Sequence, residues 1–260
     1  MRNIIFITWC SLVLILASFT NLGLKEYQVD TVIIDAGHGG KDPGSIGNIS
    51  EEKEIALQIA LKLGQYIEDN IPDVSVIYTR NDDTFIPLDQ RPRIANQENA
   101  DVFLSIHANA VNDETVHGTE SFVMGPHTFE ENLQVAKKEN AVILMEDNYQ
   151  ETYEGFDPES PESDMLFSLY QYAYLTNSLK LANNIQAQFK KRVKRKSRGV
   201  KQAGFWVLYR TSMPSVLVEV GFLSNKKEEQ YLNDELGQTY IASGIFRAFR
   251  NYKQEIESMN

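Results

Sequence analysis

The spacing of apolar positions changes segment by segment along the chain. Val32, Ile33 and Ile34 form a short β-branched run that stops at Asp35, and His38 follows among Gly37, Gly39 and Gly40. The run predicts a buried strand, and the glycines a turn where backbone comes close to something. Ile55, Ile59, Leu63 and Ile67 then recur every four residues with Ala56 and Ala60 beside them. Asn48, Ile49 and Ser50 offer capping groups ahead of Glu51, Glu52 and Glu54. This spacing predicts an amphipathic helix with an acidic first turn, ending near Asn70-Ile71-Pro72. Val74 to Thr79 reads as a strand, Asp89 to Asn99 as a helix, and Val102 to Ile106 as a third apolar strand running into His107-Ala108-Asn109-Ala110. Thr119 to Met124 adds a fourth.

From Gly125 to about Asp164 the texture changes. A helical stretch from Phe129 to Asp147 precedes an acidic, turn-rich segment from Asp157 to Asp164. A long helix follows, with Leu166, Leu169, Ala173, Thr176, Leu179, Ala182, Ile185 and Phe189 on one face. It runs into a basic stretch from Lys190 to Arg198, which reads first as the solvated carboxyl end of a helix and only second as a contact for anionic polymer. Phe205 to Leu208 and Val216 to Val220 predict two more strands, and a helix carrying Ile241, Ile245, Ala248 and Tyr252 closes the chain. Strands alternating with helices predict a single α/β domain: a mostly parallel, twisted sheet of about six strands with helices on both faces, plus a helical insert at 126–164.

The 260 residues are 42% hydrophobic and 23% charged, enough for a sizeable core. A formal net charge of −11 argues against a nucleic-acid partner. Arg2 followed by an uncharged, apolar-rich run to Leu24 has the shape of a secretory signal peptide. Ala-x-Ala is absent, and the run is also long enough for an uncleaved anchor at roughly 20 residues. Both readings of residues 1–24 put the domain, residues 29–256, outside the cytoplasm. The one cysteine, Cys10, lies in this segment, so the domain has no disulfide and no thiol nucleophile.

Two predicted strands end in histidine, His38 and His107, and sheet neighbours would bring both to one edge. Glu219 sits inside the apolar run Val216–Val220, where a carboxylate is expensive unless paired or bound to metal. Arg210 is one candidate partner. Glu51 and Glu52 open the helix directly after the glycine turn. Two histidines and one glutamate with an open fourth position is the donor pattern of a catalytic zinc site, and a further carboxylate outside the metal's reach would act as general base. First-turn glutamates also arise simply because they complement the helix dipole. Spacing alone therefore fits a zinc site and a set of structural side chains equally well. His117 and His127 read as structural or incidental.

Four ordered blocks narrow this: Asp35 to Gly44 with Glu52-Lys53; Thr79-Arg80 through Leu88, Arg91 and Ala95-Asn96; Ser105 to Asn109; and Arg198-Gly199-Val200 through Phe205, Pro214 and Val218 to Asn225. Together they resemble the zinc-dependent N-acetylmuramoyl-L-alanine amidases of the type 3 family, in particular the division amidases of Gram-negative bacteria. The resemblance implies one zinc ion held by His38, Glu52 and His107, with Glu219 as the catalytic glutamate; Glu52 rather than Glu51, because the family's ligand immediately precedes a lysine. It implies cleavage of the amide between N-acetylmuramic acid and L-alanine of the peptidoglycan stem, in wall remodelling and daughter-cell separation, in the periplasm. It also implies that the insert carries a regulatory helix over the zinc, although the scattered charges of Phe129 to Asp147 fit a solvated surface helix equally well. Glu131, Glu139 or Glu146 would cap the metal, with Glu139 and Glu146 favoured, and an activator protein would relieve that cap. A wall-binding module with a vestigial site is the competing non-enzymatic reading, and a zinc peptidase or deacetylase on a related scaffold the competing enzymatic one.

Overall fold

The computed structural model describes residues 28–126, 129–156 and 174–259. The reading of residues 1–24, the acidic segment 157–164, His127 and the first part of the long helix lie outside the described residues. No helix among the described residues is long and apolar enough to cross a membrane.

Six strands form one sheet: β1 (Thr31–Ala36), β2 (Ser75–Tyr78), β3 (Val102–Asn109), β4 (Thr119–Met124), β5 (Ser197–Ala203) and β6 (Ser215–Phe222). Their order is β2-β1-β3-β6-β4-β5, with every pair parallel except β6 and β4. The helices are α1 (Glu52–Asn70), α2 (Gln90–Gln97), α3 (Glu130–Asn140), α4 (Tyr149–Thr152), α5 (Leu175–Gln188), α6 (Trp206–Tyr209), α7 (Lys226–Asn233) and α8 (Glu235–Glu257). β1, β3 and β6 are buried on both faces, which is why they read as near-continuous apolar runs rather than alternating ones. One face packs Ile34, Leu104, Val216 and Val218 against the apolar stripes of α1, α5 and α8. The other gathers Ile33, Phe103, Phe122 and Leu217 with Leu208 of α6 and Val135 of α3.

Two elements differ from the sequence reading. Phe205–Leu208 is not a strand: Trp206–Tyr209 is a one-turn helix, closed by Leu208 N donating to Phe205 O at 3.1 Å. Its residues are all buried, and periodicity over so short an apolar run does not separate helix from strand. The sixth strand is instead β5, just upstream, where the sequence shows a basic stretch. As a half-buried edge strand it has weak apolar alternation. The stretch from Phe129 to Asp147 is also not one helix; α3 ends at Asn140 and a 3-10 turn, Ala141–Met145, follows.

Candidate metal centre and active site

The site forms where β1, β3 and β6 deliver their carboxyl ends to one edge, the position at which open α/β sheets gather ligands. His38 follows β1 in a turn with φ of 60°. Two guanidinium groups hold that turn from beneath. Arg80 donates to the carbonyls of Ala36, Gly37 and Lys53, and Arg91 to those of Ala36 and His38. Arg91 also pairs with the fully buried Asp35 at 2.8 Å, whose other oxygen accepts from Ser105 at 2.6 Å. Glycine is required at two places. A Cβ on Gly37 would lie 2.5 Å from the His107 ring, and one on Gly44, where φ is +67°, would lie 2.6 Å from the His38 ring.

Glu52, the first residue of α1, is fully buried, whereas Glu51 is partly exposed and sits 3.5 Å from Lys53. Its Oε1 lies 3.1 Å from both His38 Nε2 and His107 Nδ1 and accepts from Ala108 N at 2.9 Å; its Oε2 accepts from Ser45 N at 2.7 Å. A fourth group comes from across the site. Glu139, near the end of α3, places Oε2 3.1 Å from His38 Nε2 and 3.0 Å from His107 Nδ1. One ligand atom from each of these four buried residues lies within 4.8 Å of every other.

This donor set fits a metal ion. Asp42 can only accept, so His38 Nδ1 donates to it at 2.7 Å and leaves Nε2 facing Glu52 and Glu139. Among the described residues, neither His38 Nε2 nor either oxygen of Glu139 makes a well-formed hydrogen bond, despite the short separations. His38 and Glu139 thus converge with the Glu52–His107 pair on a common point without hydrogen bonds of their own there. Two carboxylates and two imidazoles, which give up their extra protons on coordinating, would balance a divalent cation, and nitrogen with oxygen donors suits zinc. The buried cluster could hold a metal.

The charges shift one another strongly. Burial pulls the imidazoles down, but the carboxylates of Glu52 and Glu139 outweigh it, raising His38 well above its ordinary value and His107 to about 9. Burial pushes Glu52 and Glu139 up. The cationic neighbours His38 and Lys138 bring Glu52 well below its ordinary range, and His107 and His38 lower Glu139. Glu219 goes the other way. Burial first, then the charges of Glu139 and Glu52, raise its carboxyl well above the usual range.

Glu219 pairs in register with His107 across β3 and β6, so both side chains leave the same face of the sheet. Its carboxylate is fully buried and neither oxygen has a hydrogen-bond partner among the described residues. Arg210, the candidate partner in sequence, instead reaches Glu154 at 3.2 Å. His117 is exposed on a loop, bonded to Thr115 O. Of the insert's glutamates, Glu131 is exposed, and Glu146 accepts from Leu88 N at 2.7 Å and from the Tyr153 hydroxyl at 2.8 Å. The sequence reading did not single out Asp42 or Lys138, the latter donating to Ser45 Oγ and lying 3.7 Å from Glu139. Asp42 sits four residues after His38, a spacing that would have suggested an orienting carboxylate. Lys138 carried no signal, because its role depends on where α3 lands.

Comparison with known proteins agrees with this architecture. The family model described as N-acetylmuramoyl-L-alanine amidase matches residues 32–251. The N-acetylmuramoyl-L-alanine amidase AmiA of Escherichia coli is 34% identical over 225 residues, covering 85% of this chain and 75% of AmiA. The solved catalytic domain of CwlV, an N-acetylmuramoyl-L-alanine amidase of Bacillus (Paenibacillus) polymyxa, superposes with a TM-score of 0.63 at 32% identity, over 86% of this chain and 97% of that one. The CwlD amidase of Clostridioides difficile, solved in complex with the GerS lipoprotein, gives a TM-score of 0.65 at 29% identity, over 87% and 99%. With a matching family model across most of its length and a catalytic-domain fold in common, the chain belongs to the N-acetylmuramoyl-L-alanine amidase family and is a hydrolase of peptidoglycan.

Proposed function

We propose that the protein is a zinc-dependent amidase that separates the stem peptide from N-acetylmuramic acid, and that this structure is its self-inhibited form. The observation that carries the reading is the buried set His38, Glu52, His107 and Glu139 with Glu219 beside it, unpartnered among the described residues. His38, Glu52 and His107 would hold the ion, as the family's pattern implies. A catalytic zinc site keeps a position open, and a site with four protein ligands is closed. Glu139 is the one member contributed by the insert, which supports its being the ligand that leaves.

A bound zinc ion supplies Lewis acidity that polarises the scissile carbonyl and makes water a better nucleophile. Glu219 then carries the proton. As carboxylate it takes one from the attacking water as oxygen bonds to the carbonyl carbon. As acid it returns that proton to the L-alanine nitrogen as the C–N bond breaks. A raised affinity for protons suits the second role, and release of Glu139 removes a charge that raises it, which suits the first. The main-chain donors of Ser45 and Ala108 fix the Glu52 carboxylate in place.

The apolar run after Arg2 supports export, and the resemblance to division amidases supports a periplasmic role in cell separation. A partner that lifts α3 would be the activator; CwlD provides a precedent for an amidase of this fold held by another protein. The deciding experiment is mass spectrometry of muropeptides released from purified peptidoglycan, with and without chelator. Stem peptides with a free L-alanine amine, lost on chelation, are expected. Cleavage within the stem peptide, or deacetylated glycan, would overturn the assignment.

A further inference from the structure

Beside Glu219 lies a second charged group that the reaction does not use. Glu120 of β4 is directly opposite Glu219 in the antiparallel pair, so its side chain leaves the same face about 5 Å away. It is buried, and it accepts from Asn109 Nδ2 at 3.2 Å, from Arg198 Nε at 3.2 Å and from Lys201 Nζ. One carboxylate is thus met by two cations, and Lys201 alone would neutralise it. Neither cation reaches Glu219; both are seated on Glu120.

Arg198 is placed deliberately. Thr119 pairs with Ser197 and Ser121 with Val200, so β5 spends one more residue than β4 and bulges at Arg198-Gly199. Gly199 takes φ of +90°, a conformation that L side chains rarely adopt, and a Cβ there would meet nothing within 4 Å. Bulges beside active sites re-aim a side chain. Here the guanidinium is turned onto Glu120 through Nε alone and lies 5.2 Å over the Phe222 ring. Its two terminal nitrogens have no hydrogen-bond partner among the described residues, and 30% of the side chain is exposed. A guanidinium fixed from behind with its fork open is prepared for a bidentate anion, which a lysine could not match.

We propose that Arg198 is a specificity residue of the amidase, binding a carboxylate of the stem peptide while Glu219 works on the scissile amide. This rests on the amidase reading above. β5 lies two strand spacings from β6, about 10 Å. A peptide leaving the scissile nitrogen advances about 3.4 Å per residue, so it brings the free carboxylate of the second residue, a γ-linked glutamate, or of the third, a diamino acid, to that distance.

The test is a cycle of substrate against variant. Muropeptides with both carboxylates free, with the second residue amidated, and with the third amidated are hydrolysed by the metal-loaded parent and by Arg198→Ala. The parent is expected to lose about ten- to hundredfold in kcat/KM, mainly through KM, on amidation of one position, which identifies the source of the carboxylate. Arg198→Ala is expected to give that lower value with all three substrates, so that substitution and amidation do not add. Additive losses, or a parent indifferent to both amidations, would overturn the proposal. The same cycle is run on binding of the free tripeptides to the metal-loaded Glu219→Gln protein. Coupling in binding without turnover by the parent would fail the amidase reading and keep the subsite, while no coupling in binding overturns the subsite. If Arg198→Ala folds poorly, Arg198→Lys, which keeps the charge on Glu120 without the fork, is judged by the same criterion.

Discussion

At the scale of single residues, the site depends on side chains that never touch the substrate. Asp42 fixes the His38 ring through one 2.7 Å hydrogen bond. Asp42→Ala is expected to weaken metal binding about 10- to 100-fold while leaving the fold intact, measured by competition with a metallochromic chelator. Unchanged affinity would mean that the ring is oriented by packing alone. Asp35 sits beneath the same turn. Burial would raise its carboxyl, but Arg91, Ser105 and Thr79 together hold it below the ordinary value. A carboxyl lowered in the folded state contributes stability above its unfolded pKa of 3.8, and that contribution is lost as pH falls through the folded value. Asp35→Asn should therefore cost about 3–5 kcal/mol at pH 7, because Arg91 is left buried without its counterion, and less as the pH drops below that value. Denaturant midpoints of both proteins at pH 7 and pH 3 check this; a gap that does not narrow would show that charge is not the cause. Residues of this kind were partly legible in sequence. Asp35, Arg80 and Arg91 stood in the blocks that resemble the family, yet nothing in one dimension says that two guanidiniums from later segments fold under an earlier turn.

At the scale of elements, the insert is fastened to the domain at the end of α3 and again beyond it. Asn140 bridges the α3 terminus to α6, its Oδ1 accepting from Trp206 N and its Nδ2 donating to Gly204 O, each at 2.8 Å. Farther on, Tyr153 and Phe156 pack on the Trp206 ring at centroid distances of 4.8 and 4.7 Å, and Glu146 holds Leu88 N in the turn before α2. The aromatic contact and the Glu139 contact are therefore separate fastenings of one element. Tyr153→Ala, which empties a buried aromatic position and removes a hydroxyl that bonds Glu146, should loosen the far end at a cost of about 3–5 kcal/mol. Glu139→Ala should release the near end. Each is expected to raise turnover of dye-labelled peptidoglycan above the parent's, with the double variant highest; a folded Glu139→Ala protein no faster than the parent would remove the inhibitory role. The insert's position could not be read from its sequence. Its helical period was clear, but Glu139 and Glu146 of one helical stretch compete until the break at Asn140 turns Glu146 away from the site. The same gap between local pattern and packing exchanged β5 for α6. Six half-buried residues and one buried alanine of an edge strand show little alternation, and an apolar run from Phe205 to Tyr209 shows too much hydrophobicity to reveal its period.

At the scale of the whole molecule, the proposed ion would join the turn after β1, the first residue of α1 and the carboxyl end of β3 to α3 of the insert. An ion bound only by the folded state stabilises it by about 4 kcal/mol when present at a thousand times its dissociation constant. In a chain of this size each kcal/mol moves the thermal midpoint by roughly 2–4 °C. Chelation should then lower the midpoint by about 8–16 °C. If Glu139 is a ligand, part of that stabilisation belongs to the join between insert and domain. The Glu139→Ala protein should therefore melt closer to its own metal-free form than the parent does to its. Calorimetric scans of both proteins, with zinc and with chelator, measure the two differences directly. Equal differences would place Glu139 beside the ion without binding it and leave the insert held by Asn140 and the aromatic cluster alone. A smaller difference in the variant would make the closed state a property of the metal itself, so that zinc supply, and not only a partner protein, sets how much of the enzyme stands ready to open.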